Sequence, residues 1–153
     1  MGKGFEESRG NKKPYMLKII IDANLWISFL IGKRLIDLKK LCFDENISVI
    51  ACPKIVEEFI DVSSREKIRK YIEQQNISDI LTLIKVRCVA DPVENVVMPD
   101  LRDPDDLYLL ALADAVDADF LLTGDKDLLV LKRYNQTEII SYSEFMARLE
   151  GFS

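Results

Sequence analysis

The segment Leu17-Lys18-Ile19-Ile20-Ile21-Asp22-Ala23-Asn24 is a short, β-branched apolar run that ends on a carboxylate. Such runs are typical of strands buried on both faces inside a parallel sheet, and the isoleucines favour a strand over a helix. Asp22 therefore falls where a central strand ends, which is where open α/β sheets build their sites. A second interpretation stays open, because Asp22 or Asn24 would also serve as the N-cap of a following helix.

The composition is that of a soluble globular domain, with 48% apolar and 31% charged residues in 153. We expect residues 1–15, which are polar and mixed in charge, to form a flexible tail, and residues 16–153 to form one domain. No apolar run approaches the roughly 20 residues that span a bilayer, so we expect no membrane association. Three widely spaced cysteines are typical of reduced thiols in a cytoplasmic protein.

The sequence contains no histidine. Serine–histidine triads, cysteine–histidine pairs and the usual zinc sites are thereby excluded, so carboxylates must carry any catalytic chemistry. The net charge of −5 argues weakly against a protein that coats nucleic acid without sequence preference. It does not argue against a nuclease, because bound metal neutralises an acidic pocket.

Strand and helix patterns alternate along the rest of the chain. Further strands are predicted at 47–50, 86–89, 119–123 and 137–140. Helices are predicted at 23–31, 34–43, 53–62 and 65–71, in a short segment after Ser78-Asp79, at 105–116 and 128–131, and from Ser143 onward. Residues 91–103 lack periodicity and are predicted to form a loop. The alternation predicts an α/β fold, a three-layer α/β/α sandwich with a central parallel sheet of about five strands.

Four acidic residues are predicted to meet at one edge of this sheet. Asp22 and Asp125 follow strands directly. Glu58 lies at the border of an apolar helical stripe, and Asp106 lies on the inward face of a helix that is apolar almost all round. Taken singly, each acid is explained as well by capping or solvent exposure. Because strand ends and the following helix starts share one edge, their convergence favours a site for Mg²⁺ or Mn²⁺, which offsets carboxylate repulsion.

The ordered set of motifs resembles the PIN-domain family, and within it the VapC-like toxins of type II toxin–antitoxin systems. The resemblance covers about residues 16–145, and its motifs lie at 20–24, 53–59, 103–113 and 122–129. It implies a PIN-like domain over 16–153 and a metal-dependent endoribonuclease that hydrolyses RNA. It assigns as catalytic and metal-binding residues Asp22, Glu58, Asp106 and Asp125, with Asn24, Thr123 and Asp127 as supporting residues.

The resemblance also implies Mg²⁺ or Mn²⁺ as the cofactor, RNA as the substrate and a cytoplasmic location. An antitoxin protein and a second copy of the chain are the candidate protein partners. Two other functions remain open. One is a carboxylate-based phosphohydrolase in which Asp22 is the nucleophile. The other is a PIN-like interaction module that has no catalytic activity.

Overall fold

The computed structural model describes residues 16–90 and 104–152; the predicted tail and the predicted loop at 91–103 lie outside these ranges. Strands and helices alternate along most of the described chain. In chain order they are β1 (Leu17–Ile21), α1 (Ala23–Ile31), α2 (Leu35–Phe43), β2 (Ile47–Ala51), α3 (Pro53–Ser64), α4 (Glu66–Arg69), α5 (Gln74–Arg87), β3 (Val89–Ala90), α6 (Pro104–Ala115), β4 (Phe120–Leu122), α7 (Lys126–Leu129), β5 (Arg133–Tyr134), β6 (Thr137–Ile140) and α8 (Tyr142–Phe152).

The described strands form one sheet in the order β3-β2-β1-β4-β6-β5. Five of them run parallel, and β5 pairs antiparallel with β6. Strand β1 is central, and its Ile20 pairs with Ile50 of β2 on one side and with Leu121 of β4 on the other. Helices flank the sheet, which confirms the predicted α/β sandwich. The strand ends after β1 and β4 therefore lie side by side.

The isoleucines of β1 form the centre of the core. Ile19, Ile20 and Ile21 are between 0% and 1% exposed, as expected for a strand covered on both faces. Trp26 of α1 and Phe59 of α3 are equally buried, because the apolar stripes of these helices face the core. Among the described residues, no helix is both long and apolar enough to cross a membrane.

Two local predictions were wrong, the short helix predicted after Ser78-Asp79 is the 14-residue α5, and one strand was missed. The strand predicted at 86–89 begins only at Val89, because α5 continues to Arg87 and Val86 is 66% exposed on its surface. The helix predicted at 65–71 is the single turn α4. Strand β5 was not predicted, because both of its residues are exposed and carry no alternating apolar pattern.

Candidate active site

Asp22 lies at the junction of β1 and α1, where it follows the central strand and is the N-cap of the helix. Its backbone N–H donates to the Leu122 carbonyl at 3.0 Å, which fixes the end of β1 against β4. Its Oδ1 accepts from the backbone N–H of Asn24 at 3.1 Å and thereby caps α1. Its Oδ2 accepts from the Thr123 hydroxyl at 2.8 Å. Only 5% of the residue is exposed, so a carboxylate is held inside the edge of the sheet.

Burial raises the pKa of Asp22 above its ordinary value of 3.8. The hydrogen bonds from Thr123 and from the Asn24 N–H act in the opposite direction, and the nearby charge of Asp125 raises the pKa further. Burial is the largest of these effects, because it removes water from the charged form. The fold thus keeps a carboxylate where its negative charge is poorly solvated and where a second acid is close.

Thr123 connects the two acids that follow strands. The residue is fully buried, and its hydroxyl donates to Asp22 while accepting from the backbone N–H of Asp125 at 3.1 Å. Asp125 is the N-cap of α7, and its Oδ1 accepts from the backbone N–H of Asp127 at 2.8 Å. Both carboxylates are therefore fixed by short backbone and hydroxyl contacts at adjacent strand ends.

Glu58 is half-buried on α3 and accepts a hydrogen bond from the Tyr108 hydroxyl of α6. Tyr108 is 3% exposed, and burial together with the bond and charge of Glu58 holds its pKa far above the ordinary range. The charge of Asp22 adds to this increase, so Tyr108 is close enough to sense both carboxylates. Tyr108 was not among the predicted site residues, because in the sequence its ring is one more apolar member of the helix.

The remaining predicted residues take different positions. Asp106 lies in the first turn of α6, but its side chain lies outside the described part of the structure, so its role stays a prediction. Asn24 and Asp127 are exposed, and both contact the acids through backbone N–H groups. These contacts do not involve the side chains of Asn24 and Asp127, so a supporting role for the side chains stays a prediction.

Asp22, Thr123 and Asp125 offer oxygen ligands at this edge. Among the side chains that the structure describes, no three of the His, Cys, Asp or Glu type are grouped to hold a metal ion. The side chain of Asp106 is not among the described side chains. The pair formed by Asp22 and Asp125 nevertheless fits a hard divalent cation, because such cations take carboxylate oxygens and would favour the ionised form that burial disfavours in Asp22.

The fold and this edge define an α/β domain whose acidic residues gather at the carboxyl ends of a parallel sheet. The family model for the PIN domain matches residues 18–127, which is more than half of the chain. The chain therefore belongs to the PIN-domain family, as its motifs predicted.

Two further comparisons add little to this assignment. No curated protein matches the sequence. One similar solved structure is that of VapBC2 from Rickettsia felis, bound to a DNA fragment from their promoter. It is 16% identical, the match covers 80% of this chain and 97% of that chain, and the TM-score is 0.48.

Proposed function

We propose that this protein is an endoribonuclease that uses Mg²⁺ or Mn²⁺ to hydrolyse RNA phosphodiesters. Membership in the PIN-domain family supports this, since PIN domains are generally nucleases. The observation that carries the proposal is the buried carboxylate of Asp22, which is fixed by Thr123 and lies within the electrostatic reach of Asp125. A buried acid beside a second acid is costly for folding alone, which favours a functional reason for the pair.

In this mechanism Asp22, Asp106 and Asp125 would hold the metal ion, directly or through water. When bound, the ion offsets the negative charge of the phosphodiester, polarises its oxygen and promotes ionisation of water. Thr123 keeps both carboxylates in a fixed orientation before metal arrives, because one hydroxyl contacts the side chain of one acid and the backbone of the other. Preorganised ligands of this kind lose little conformational freedom on binding.

Glu58 orients the attacking water and accepts its proton, or it serves as a further metal ligand. The Tyr108 hydroxyl donates to the Glu58 carboxylate and so limits its rotation. A general base must present its oxygen in one orientation to the water that it deprotonates. The buried ring of Tyr108 provides that constraint from a second helix.

The same motifs also support a biological role for the proposed ribonuclease. The resemblance to VapC-like toxins supports a role as a toxin in the cytoplasm. A cognate antitoxin inhibits its cleavage of RNA. A homodimer is part of the same proposal. Copurification of the chain with the product of an adjacent small reading frame tests the first, and light scattering of the purified protein tests the second.

The central test is cleavage of a labelled single-stranded RNA with Mn²⁺ by wild type, Asp22→Asn and Asp117→Asn. Asp117 is exposed and has a positive φ that asparagine also tolerates, so it controls for the loss of one charge. Because a metal ion contributes several kcal/mol to the transition state, Asp22→Asn should slow cleavage by about 100-fold or more. Excess chelator should abolish wild-type cleavage, and the control should cleave normally.

Two results would contradict the proposal. One is unchanged cleavage by Asp22→Asn, and the other is full wild-type activity in chelator. Accumulation of a phosphate ester on Asp22 with a phosphorylated small substrate would instead favour the carboxylate-based phosphohydrolase. A folded protein that neither binds Mn²⁺ nor cleaves RNA would favour the non-catalytic module.

A further inference from the structure

A cavity of about 160 Å³ opens beside the acidic edge. Thr123 and Gly124 form its wall towards the carboxylates, and Ser28, Arg34, Ser141 and Ser143 contribute the other polar groups. Thr123 is the direct link between the two places, because its hydroxyl also donates to Asp22. Thr123 is thus shared by the wall of the cavity and by the carboxylate edge.

Arg34 is the positively charged group of this cavity, and its guanidinium is held by three neighbours. It lies 5.0 Å from the centroid of the Phe29 ring and 5.2 Å from that of Tyr142. Its Nε donates to Asp37 at 2.9 Å. Stacking on aromatic rings and a contact at Nε orient the planar fork and reduce the entropy lost on binding. The arginine side chain is 52% exposed, so an anion can reach it.

The other groups at the cavity also favour an anion. Helix α8 begins at Tyr142 with the Ser141 hydroxyl accepting from the Glu144 N–H at 3.2 Å, and the N-terminus of an 11-residue helix carries partial positive charge. Ser28 and Ser143 add hydroxyl groups at the cavity wall. Among the described residues that line it, none is acidic. The cavity thus contrasts with the carboxylate edge only one residue away from it.

We propose that this cavity binds the phosphodiester next to the scissile one, with Arg34 as its main contact. The inference rests on the proposed ribonuclease function and names a binding residue for its substrate. An RNA strand whose scissile phosphate lies at Asp22 extends past Thr123 and presents its neighbouring phosphate to Arg34. A planar guanidinium matches two phosphate oxygens, so it supplies both charge and orientation.

The first test compares Arg34→Gln with Arg133→Gln in steady-state RNA cleavage. Arg133 is a matched control, because it is 58% exposed and also pairs with an acid, Glu138. An ion-paired phosphate contact that persists from substrate to transition state should appear in KM. We expect Arg34→Gln to raise KM about tenfold with little change in kcat, and Arg34→Lys to recover part of the loss through its charge. Arg133→Gln should leave both parameters unchanged.

The second test identifies the phosphate. After the cleavage position is mapped, a neutral methylphosphonate replaces the linkage on either side of it, one at a time. At one of these two linkages the substitution should raise KM about tenfold for wild type and have no further effect in Arg34→Gln, because both changes remove the same contact. Thermal unfolding of each variant shows whether the fold is intact.

The possible failures are distinguishable. If wild type cleaves RNA but Arg34→Gln matches Arg133→Gln, the cavity does not bind a phosphate and only this inference is wrong. If each neutral linkage raised KM by the same factor in Arg34→Gln as in wild type, the two changes would be additive. That result would also contradict only this inference. If wild type does not cleave RNA with Mn²⁺, the proposed function fails, and this inference fails with it.

Discussion

Replacing Thr123 with valine removes the hydroxyl that joins the two acids and leaves the shape of the side chain nearly unchanged. The variant loses one hydrogen bond to an ionised carboxylate and one from a backbone N–H. Bonds to charged groups contribute about 1.5–3 kcal/mol and neutral ones about 0.5–1.5 kcal/mol. We therefore expect Thr123→Val to lower the free energy of unfolding by about 2–4 kcal/mol at neutral pH without metal.

Thr137 provides a matched control. It is also buried, at 1% exposed, and its hydroxyl makes one neutral bond to the Ala118 carbonyl at 2.7 Å. Thr137→Val should cost about 1 kcal/mol, and this cost should not depend on pH in the acidic range. The comparison isolates the charged contact, because the chemical change is the same in both variants.

The pH dependence gives the reasoning its sharpest test. The Thr123 bond lowers the pKa of Asp22, so its loss raises that pKa further above the already raised folded value. As the pH falls, the variant binds the proton first and recovers stability relative to wild type. Urea unfolding at neutral pH and at about pH 4 measures this recovery of stability. A loss in Thr123→Val no larger than in Thr137→Val, or one that does not shrink on acidification, would refute it.

Two further predictions concern the same edge. Tyr108→Phe should lower kcat about tenfold with a stability loss of about 1.5–3 kcal/mol, because only the hydroxyl that orients the Glu58 carboxylate is lost; an unchanged kcat, equal to that of the exposed control Tyr71→Phe, would contradict it. Without metal, ionised Asp22 destabilises the fold above its raised pKa, so Asp22→Asn should raise Tm at neutral pH and show no gain below pH 3.8. Calorimetry checks this, and a lower Tm at every pH would oppose it.

Much of the fold was predictable because it depends on local patterns. The isoleucines of β1 are buried on both faces as their apolarity predicted, and alternating periodicities gave the parallel sheet. The positions of Asp22 and Asp125 followed from the same reasoning, since Asp22 comes directly after β1 and Asp125 lies in the turn between β4 and α7. Strand β5 was missed because its two exposed residues carry no periodic signal. Helix α5 begins before the predicted start after Ser78-Asp79 and continues into the segment predicted as a strand.

Contacts between distant residues were not predictable from periodicity. Tyr108 meets Glu58 across 50 positions, and in the sequence its ring is one more apolar member of α6. Arg34 meets Tyr142 across the fold in the same way. Such pairs depend on how helices cross, which a single sequence does not specify. Only the geometry of the sheet edge links these side chains to the site.

The most direct test of the central claim is a crystal grown with Mn²⁺, with anomalous diffraction used to locate the ion. We predict one or more anomalous peaks at the edge formed by β1 and β4, within bonding distance of Asp22 and Asp125 and of the predicted ligand Asp106. The same experiment with Asp22→Asn should lose or weaken the peak. Absence of any peak at this edge in the wild-type crystal, with Mn²⁺ bound elsewhere or not at all, would contradict the carboxylate metal site.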